Sequence, residues 1–256
     1  MPSPPLAATF QVASRLGARL VGTLVVGLDL THDARLDRHI TDRRTFIQRR
    51  ARRARQLGLR MCALHRCEVS VHGAAPRGPA VIVSNHLNWL DPMVFSSTLP
   101  LTGLSKAEMA AWPVVGPCGR AVGSIFVERG DPWSGMLALR SALRALEADV
   151  PVLNFCEGTT SAGDVVRPFR AGIFGLARLA GVPVVPAALR YAPADTCWPS
   201  EEVLSRNYLR VARHPRWTAQ VHYGEALAFA PGTPDAERAE LARAAVRRLA
   251  GLDPAG

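Results

Sequence analysis

A chain of 256 residues, 48% of them hydrophobic, is long enough to bury a substantial core, and one α/β domain with a modest N-terminal appendage is its default organisation. The formal net charge is +10, carried almost wholly by arginine because Lys106 is the sole lysine. Such a balance suits an anionic partner: a phospholipid headgroup, an acidic carrier protein, coenzyme phosphates or nucleic acid. The five cysteines are odd in number and scattered, which argues against a disulfide framework and for a reducing compartment. Cys62, His65 and Cys67 lie close together, yet no second ligand pair follows at finger spacing, so buried thiols and no metal site are expected.

No cleavable signal peptide is evident at the N-terminus, since no A-x-A site follows a clean apolar core. Leu6 to Leu30 is apolar but interrupted by Gln11, Arg15, Arg19 and Asp29. Its longest clean run, Leu20 to Leu28, falls well short of the ~20 residues of a spanning helix, so an interfacial or re-entrant segment is expected. Residues 41–66 read as one helix, with Ile47, Ala51, Ala54, Leu57, Met61 and Leu64 forming an apolar stripe. Around the stripe sit Arg43, Arg44, Arg49, Arg50, Arg52, Arg53, Arg55 and Arg60. A basic amphipathic helix beside an apolar segment is suited to an anionic membrane surface. The competing reading is a solvated arginine face whose stripe packs onto the domain. Residues 1–64 are assigned to this membrane-contacting segment and 65–256 to an α/β domain.

Strand-like runs then appear at Cys67–His72, Ala80–Ser84, Gly123–Glu128, Val150–Phe155, Val182–Tyr191 and Trp217–Tyr223. Helical patterns intervene at Leu90–Ser97, Pro132–Ala148 and Ala171–Ala180. The alternation predicts a mixed, mainly parallel sheet covered by helices. A last helix has Thr233 as its expected N-cap, Pro234 at the first position and Gly251 after the final turn.

Within "VIVSNHLNWLDPMVF" (81–95) an apolar strand stops at Asn85 and His86, and Asp91 and Pro92 follow. Histidine and aspartate five apart is a weak pattern by itself, because His32 and Asp37 repeat it in a charged stretch expected to be solvated surface. On an α-helix such a pair is separated by about 140°, so His86 and Asp91 can meet only if the chain turns between them. Pro92 biases Asp91 away from helical conformation, and the carboxyl end of a sheet strand is where α/β proteins place their chemistry. Asp91 bonded to one ring nitrogen would leave the other free to take a proton. The alternative is a histidine that merely caps a loop. Two further blocks deliver polar residues to strand ends, "VGSIFVERG" (122–130) with Glu128 and Arg129 and "NFCEGTTS" (154–161) with Glu157 and a small turn, while "GVPVVPAALRY" (181–191) is an apolar strand punctuated by Pro183 and Pro186. The backbone of the second could cradle an anion. There is no serine elbow, Walker loop or dinucleotide fingerprint.

The four blocks resemble the PlsC-like glycerolipid acyltransferase family, of the lysophosphatidate and lysophospholipid type, over roughly residues 65 to 225. Its N-H-x4-D motif is matched by Asn85, His86 and Asp91, and its G-x-x-F-x-x-R motif by Gly123, Phe126 and Arg129. Its F-P-E-G-T-R-S motif is matched by Phe155, Glu157, Gly158, Thr159 and Ser161, and its V-P-hydrophobic-hydrophobic-P run by Val182, Pro183 and Pro186. Cys156 stands where proline is usual, a local steric change, and Thr160 where arginine is usual. The second departure removes a cation thought to hold the acceptor's phosphate, and it is similar to an E-G-T-T-S form associated with other acceptors, including lyso-ornithine lipid. Cys156 lies beside Glu157, but nothing in the sequence marks its thiol as activated.

The resemblance implies O-acyl transfer from an acyl thioester, acyl-CoA or acyl carrier protein, to a lysolipid hydroxyl such as that of 1-acylglycerol-3-phosphate or lyso-ornithine lipid. It implies His86 as general base, Asp91 as its partner, Arg129 and Lys106 binding anionic groups, and Glu157, Gly158 and Thr159 shaping the acceptor site. No metal or resident cofactor is implied, and the setting would be the cytoplasmic face of the inner (plasma) membrane. Two competing classes are a thioester or lipid hydrolase and a non-catalytic basic binding protein. Against nucleic acid, the aromatic residues (6%) are not interleaved with the arginines as a stacking platform needs.

Overall fold

Val81, Ile82 and Val83 have no solvent exposure, so the strand they form is covered on both faces. Each such side chain contributes roughly 1.5–3 kcal/mol by burial, and only a sheet with helices on both sides covers such a run. The computed structural model describes residues 6–128 and 130–252. Arg129, expected to bind an anion, lies outside the described residues.

The elements in chain order are α1 (Leu6–Arg35), α2 (Arg43–Leu64), β1 (Cys67–His72), β2 (Val81–Ser84), α3 (Asp91–Thr98), β3 (Thr102–Lys106), α4 (Val115–Val122) and β4 (Ile125–Val127). They continue with α5 (Pro132–Glu147), β5 (Val152–Phe155), α6 (Gly172–Ala180), β6 (Val184–Ala192), α7 (Leu204–Arg213), β7 (Trp217–Tyr223) and α8 (Asp235–Ala250). The seven strands form one sheet in the order β1-β7-β6-β2-β5-β3-β4. Five neighbouring strands, β6-β2-β5-β3-β4, run parallel; β7 is antiparallel to β6, and β1 is parallel to β7. The expected mixed, mainly parallel sheet covered by helices is therefore the fold.

Two apolar layers sandwich the sheet. Ile82, Leu153 and Trp217 pack on one face with Val26, Leu30, Met61 and Phe95 from α1, α2 and α3. Val81, Val83 and Val152 pack on the other with Ala142, Phe174 and Val246 from α5, α6 and α8. The two N-terminal helices thus share the core of the sheet. Gly58 of α2 lies against α3 so closely that a Cβ would stand 2.4 Å from the Met93 carbonyl oxygen.

Several local readings change. Asp37, expected on solvated surface, is 1% exposed and paired with Arg53 and, at 2.8 Å, with Arg49. The histidine–aspartate spacing there is incidental, because the acid is neutralised by the arginines of α2. Arg44 and Arg60 pair with Asp149 and Asp29, so half of that helix's arginines face carboxylates. Thr233 does not cap α8: its hydroxyl donates to the Ala230 carbonyl, and extended Pro234 is the cap residue. Gly251, left-handed at φ 71°, closes the helix as expected. Asp91 is the first residue of α3, so the turn that returns it to His86 lies before it, not at it.

Candidate active site

The parallel strands end on one edge of the sheet, and there the polar blocks meet. Beyond β2, the Asn85 amide donates to the Leu189 carbonyl (3.1 Å) and accepts from the Leu189 N–H (2.8 Å), tying the strand end to β6. His86 follows, 21% exposed at its side chain, with its ring stacked on Phe155 of β5 at a centroid distance of 4.2 Å. Its Nδ1 is 2.7 Å from Asp91 Oδ2.

Asp91 has no solvent exposure and is held by donors on every side. Its Oδ2 also accepts from the Leu87 N–H (2.6 Å) and Asn88 N–H (3.0 Å), and its Oδ1 from the Tyr191 hydroxyl (2.5 Å). Burial and the Asp91 charge both push the Tyr191 phenol upward, so it remains a donor. A carboxylate that accepts all these bonds makes Nδ1 the protonated nitrogen of neutral His86. The Nε2 lone pair is then free for a proton. The dipole of α3 adds to the stability of the anion at its first turn.

Glu157 is buried, and both its oxygens accept backbone N–H groups: His86 (2.9 Å) and Arg167 (2.7 Å). Burial raises its pKa, and those two bonds oppose the shift. Both Glu157 oxygens are thus engaged by backbone, and one of them fixes the His86 main chain. Ser161 N–H donates to the His86 carbonyl (2.9 Å), closing a second link to the same loop. Gly158 makes the intervening turn at φ 74°, and a Cβ there would stand 3.1 Å from Arg170 Nε. Thr159 is half-buried, while Thr160 is 6% exposed and presents no charge. Cys156 is buried, and burial beside Glu157 pushes its thiol upward, away from the reactive thiolate.

The structure thus brings together His86, Asp91, Glu157, Gly158 and Thr159. Lys106 ends β3 on the same edge of the sheet, exposed, and the hydrogen bonds of the His–Asp pair do not include it. Sequence reasoning missed Tyr191, the Asn85 clamp and the Arg170 side chain beside the glycine turn. Tyr191 lay in an expected strand, but no linear pattern links it to an acid 100 positions away.

Beneath Phe155 opens a cavity of about 170 Å³, lined chiefly by apolar groups such as Leu57, Met61, Met93, Val122 and Phe126. Phe155 thus carries the His86 ring on its face and forms part of the wall of an apolar cavity.

The model of the family described as Acyltransferase matches residues 67–190. Lyso-ornithine lipid O-acyltransferase from Pseudomonas aeruginosa is 37% identical over 174 residues, which span 68% of this chain and 67% of the relative. 1-acyl-sn-glycerol-3-phosphate acyltransferase from Neisseria meningitidis is 32% identical over 138 residues, 53% of this chain and 54% of that protein. Among solved structures, the 1-acyl-sn-glycerophosphate acyltransferase PlsC from Thermotoga maritima shares the fold with a TM-score of 0.62 at 18% identity. The match covers 91% of this chain and 96% of that one.

Proposed function

The chain belongs to the acyltransferase family, and on that premise we propose that it moves a fatty acyl group from a thioester to a lysolipid hydroxyl by general-base catalysis at His86. The observation that carries this reading is the His86 ring, fixed by buried Asp91 and stacked on Phe155, a wall of the apolar cavity. Nε2 takes the hydroxyl proton while the oxygen attacks the thioester carbonyl. The tetrahedral adduct collapses, the carbon–sulfur bond breaks, and the imidazolium returns the proton to the departing thiolate. The products are a lipid ester and a free thiol, coenzyme A or carrier protein, and no covalent enzyme intermediate is needed. Help of this kind is worth ~10²–10⁴ in rate. The cavity beneath Phe155 takes the acyl chain.

We assign lyso-ornithine lipid as the acceptor. Uncharged Thr160 supports it, as does the similarity to the Pseudomonas aeruginosa protein. An ornithine headgroup carries an amine beside its carboxylate and needs fewer cations than a phosphate monoester. Arg170, beside Gly158, supplies one cation; Arg129 and Lys106 are assigned to further anionic groups. The membrane reading is supported by α1, which exposes Leu20, Val21, Leu24, Val25 and Leu28 along one face. Among the described residues no helix is long and apolar enough to cross a membrane, and on this reading the exposed face of α1 is assigned to the interface. With a thioester donor, the reaction is assigned to the cytoplasmic face.

The test is transfer of labelled acyl groups from acyl-CoA and acyl carrier protein to a panel of lysolipids, with His86→Ala beside the wild type. Acylation of lyso-ornithine lipid, reduced at least about 10²-fold in the variant, is expected. Acylation of 1-acylglycerol-3-phosphate instead would overturn the acceptor, thioester turnover without any acceptor would favour the hydrolase, and a fully active His86→Ala would remove the base.

A further inference from the structure

A second cavity, of about 430 Å³, opens between α2 and α5 and shares Thr102, Val122, Ser124 and Phe126 with the cavity beneath Phe155. Its floor is apolar, with Ile47, Ile125 and Ala138, and its rim is cationic, with Arg43, Arg50 and Arg144. Arg50 is set in place: its guanidinium donates to the Arg120 carbonyl and lies 5.3 Å over the Phe46 ring. The neighbouring Arg43 is the largest influence on Arg144, whose guanidinium is pushed below its usual range; Arg140 adds to this and Glu147 offsets part. Among the described residues no carboxylate forms an ion pair with Arg43, Arg50, Arg140 or Arg144. Four of the six other arginines of α2 meet an acid; this cluster meets a cavity. Like charges gathered at an apolar opening repel one another until an anion arrives. The adjoining surface of α5 exposes Trp133, Met136 and Leu137, which suits approach from lipid rather than from bulk water.

We propose that this cavity binds an anionic amphiphile, its phosphate or carboxylate head held by Arg43, Arg50 and Arg144 and its chain laid against Ile47 and Phe126. The site stands apart from His86 and does not rest on the acyl-transfer reading. Phe126 is a wall of both cavities, so an occupant here touches the boundary of the neighbouring one.

The experiment is calorimetric titration of the full chain with decyl phosphate below its micelle concentration, beside uncharged decyl maltoside and inorganic phosphate. Arg43→Glu/Arg144→Glu is compared with wild type, and Arg43→Gln/Arg144→Gln repeats the test without charge reversal. The expected result is decyl phosphate binding weakened about tenfold or more in both double variants, with the melting temperature and decyl maltoside binding unchanged. Equal decyl phosphate affinity in wild type and variants overturns the site. Equal weakening of decyl maltoside overturns recognition of the charge. Displacement of decyl phosphate by inorganic phosphate at matched concentration overturns the amphiphile in favour of a small-ion site. Acyl transfer is not measured, so failure of the catalytic reading leaves each outcome interpretable.

Discussion

Asp91 receives four hydrogen bonds on two oxygens, and only one of them comes from the histidine it orients. Removing the Tyr191 hydroxyl leaves the other three, so Tyr191→Phe should fold normally and loosen the acid without freeing it. A bond to a charged group is worth about 1.5–3 kcal/mol, and under the proposed mechanism part of that falls on the imidazolium formed during reaction. The expected outcome is kcat lowered about 5–50-fold with KM for the lysolipid little changed; unchanged kcat would show that Tyr191 plays no part in setting the base. The site was partly legible at this scale. His86 and Asp91 stand five apart after a strand, whereas Tyr191 and Asn85 act through partners 100 and 104 positions away. Asp37 shows the cost of reading spacing alone, since the same interval there gives an acid buried against Arg53.

Among the elements, the junction of α2, α3 and α7 holds an unusual group. His65, the residue after α2, is fully buried, with its ring edge-on to Trp89 (5.0 Å) and Tyr208 (5.7 Å), and neither ring nitrogen finds a partner among the described residues. Burial, and then the charge of Arg19, lowers its pKa to about 4. The unfolded chain takes up a proton at this residue below about 6.5, while the folded chain stays neutral to about 4. Stability is therefore lost as pH falls from 6.5 to 4, by at most about 3 kcal/mol. Denaturant titrations across that window should show the slope in wild type and a flatter one in His65→Leu; parallel slopes would contradict it. The Cys-x-x-His-x-Cys grouping was visible in the sequence, but its burial was not. The strands richest in β-branched residues were legible, while β3, with Gly103 and Ser105, carried too few apolar residues to be read.

At the scale of the molecule, the helix-covered, mainly parallel sheet was legible because β2, β5 and β6 each open on a run of apolar residues. The packing of the N-terminal helices was not, because an apolar stripe reads the same against lipid or against protein. The structure covers one face of α1 and leaves another open: Val26 and Leu30 are buried in the core, whereas Leu24 and Leu28 are 48% and 68% exposed. Leu24→Glu/Leu28→Glu should lower flotation with anionic vesicles several-fold and leave the melting temperature in place. Retained flotation would assign membrane contact to another surface.

The residues around His86 come from distant parts of the chain: Glu157 lies 71 positions away, and Tyr191 stands 100 from Asp91. No fragment of the chain carries them all, so the centre is assembled only when β2, β5 and β6 have closed into one sheet. Chemistry here is consequently a reporter of cooperativity. Loss of catalytic turnover in urea should share its midpoint with loss of the near-ultraviolet dichroism of the core aromatics, and recovery on dilution should be as slow as closing loops of such length makes it. Turnover that vanished at a lower midpoint would reveal instead that the strand ends open while the sheet beneath them stays intact.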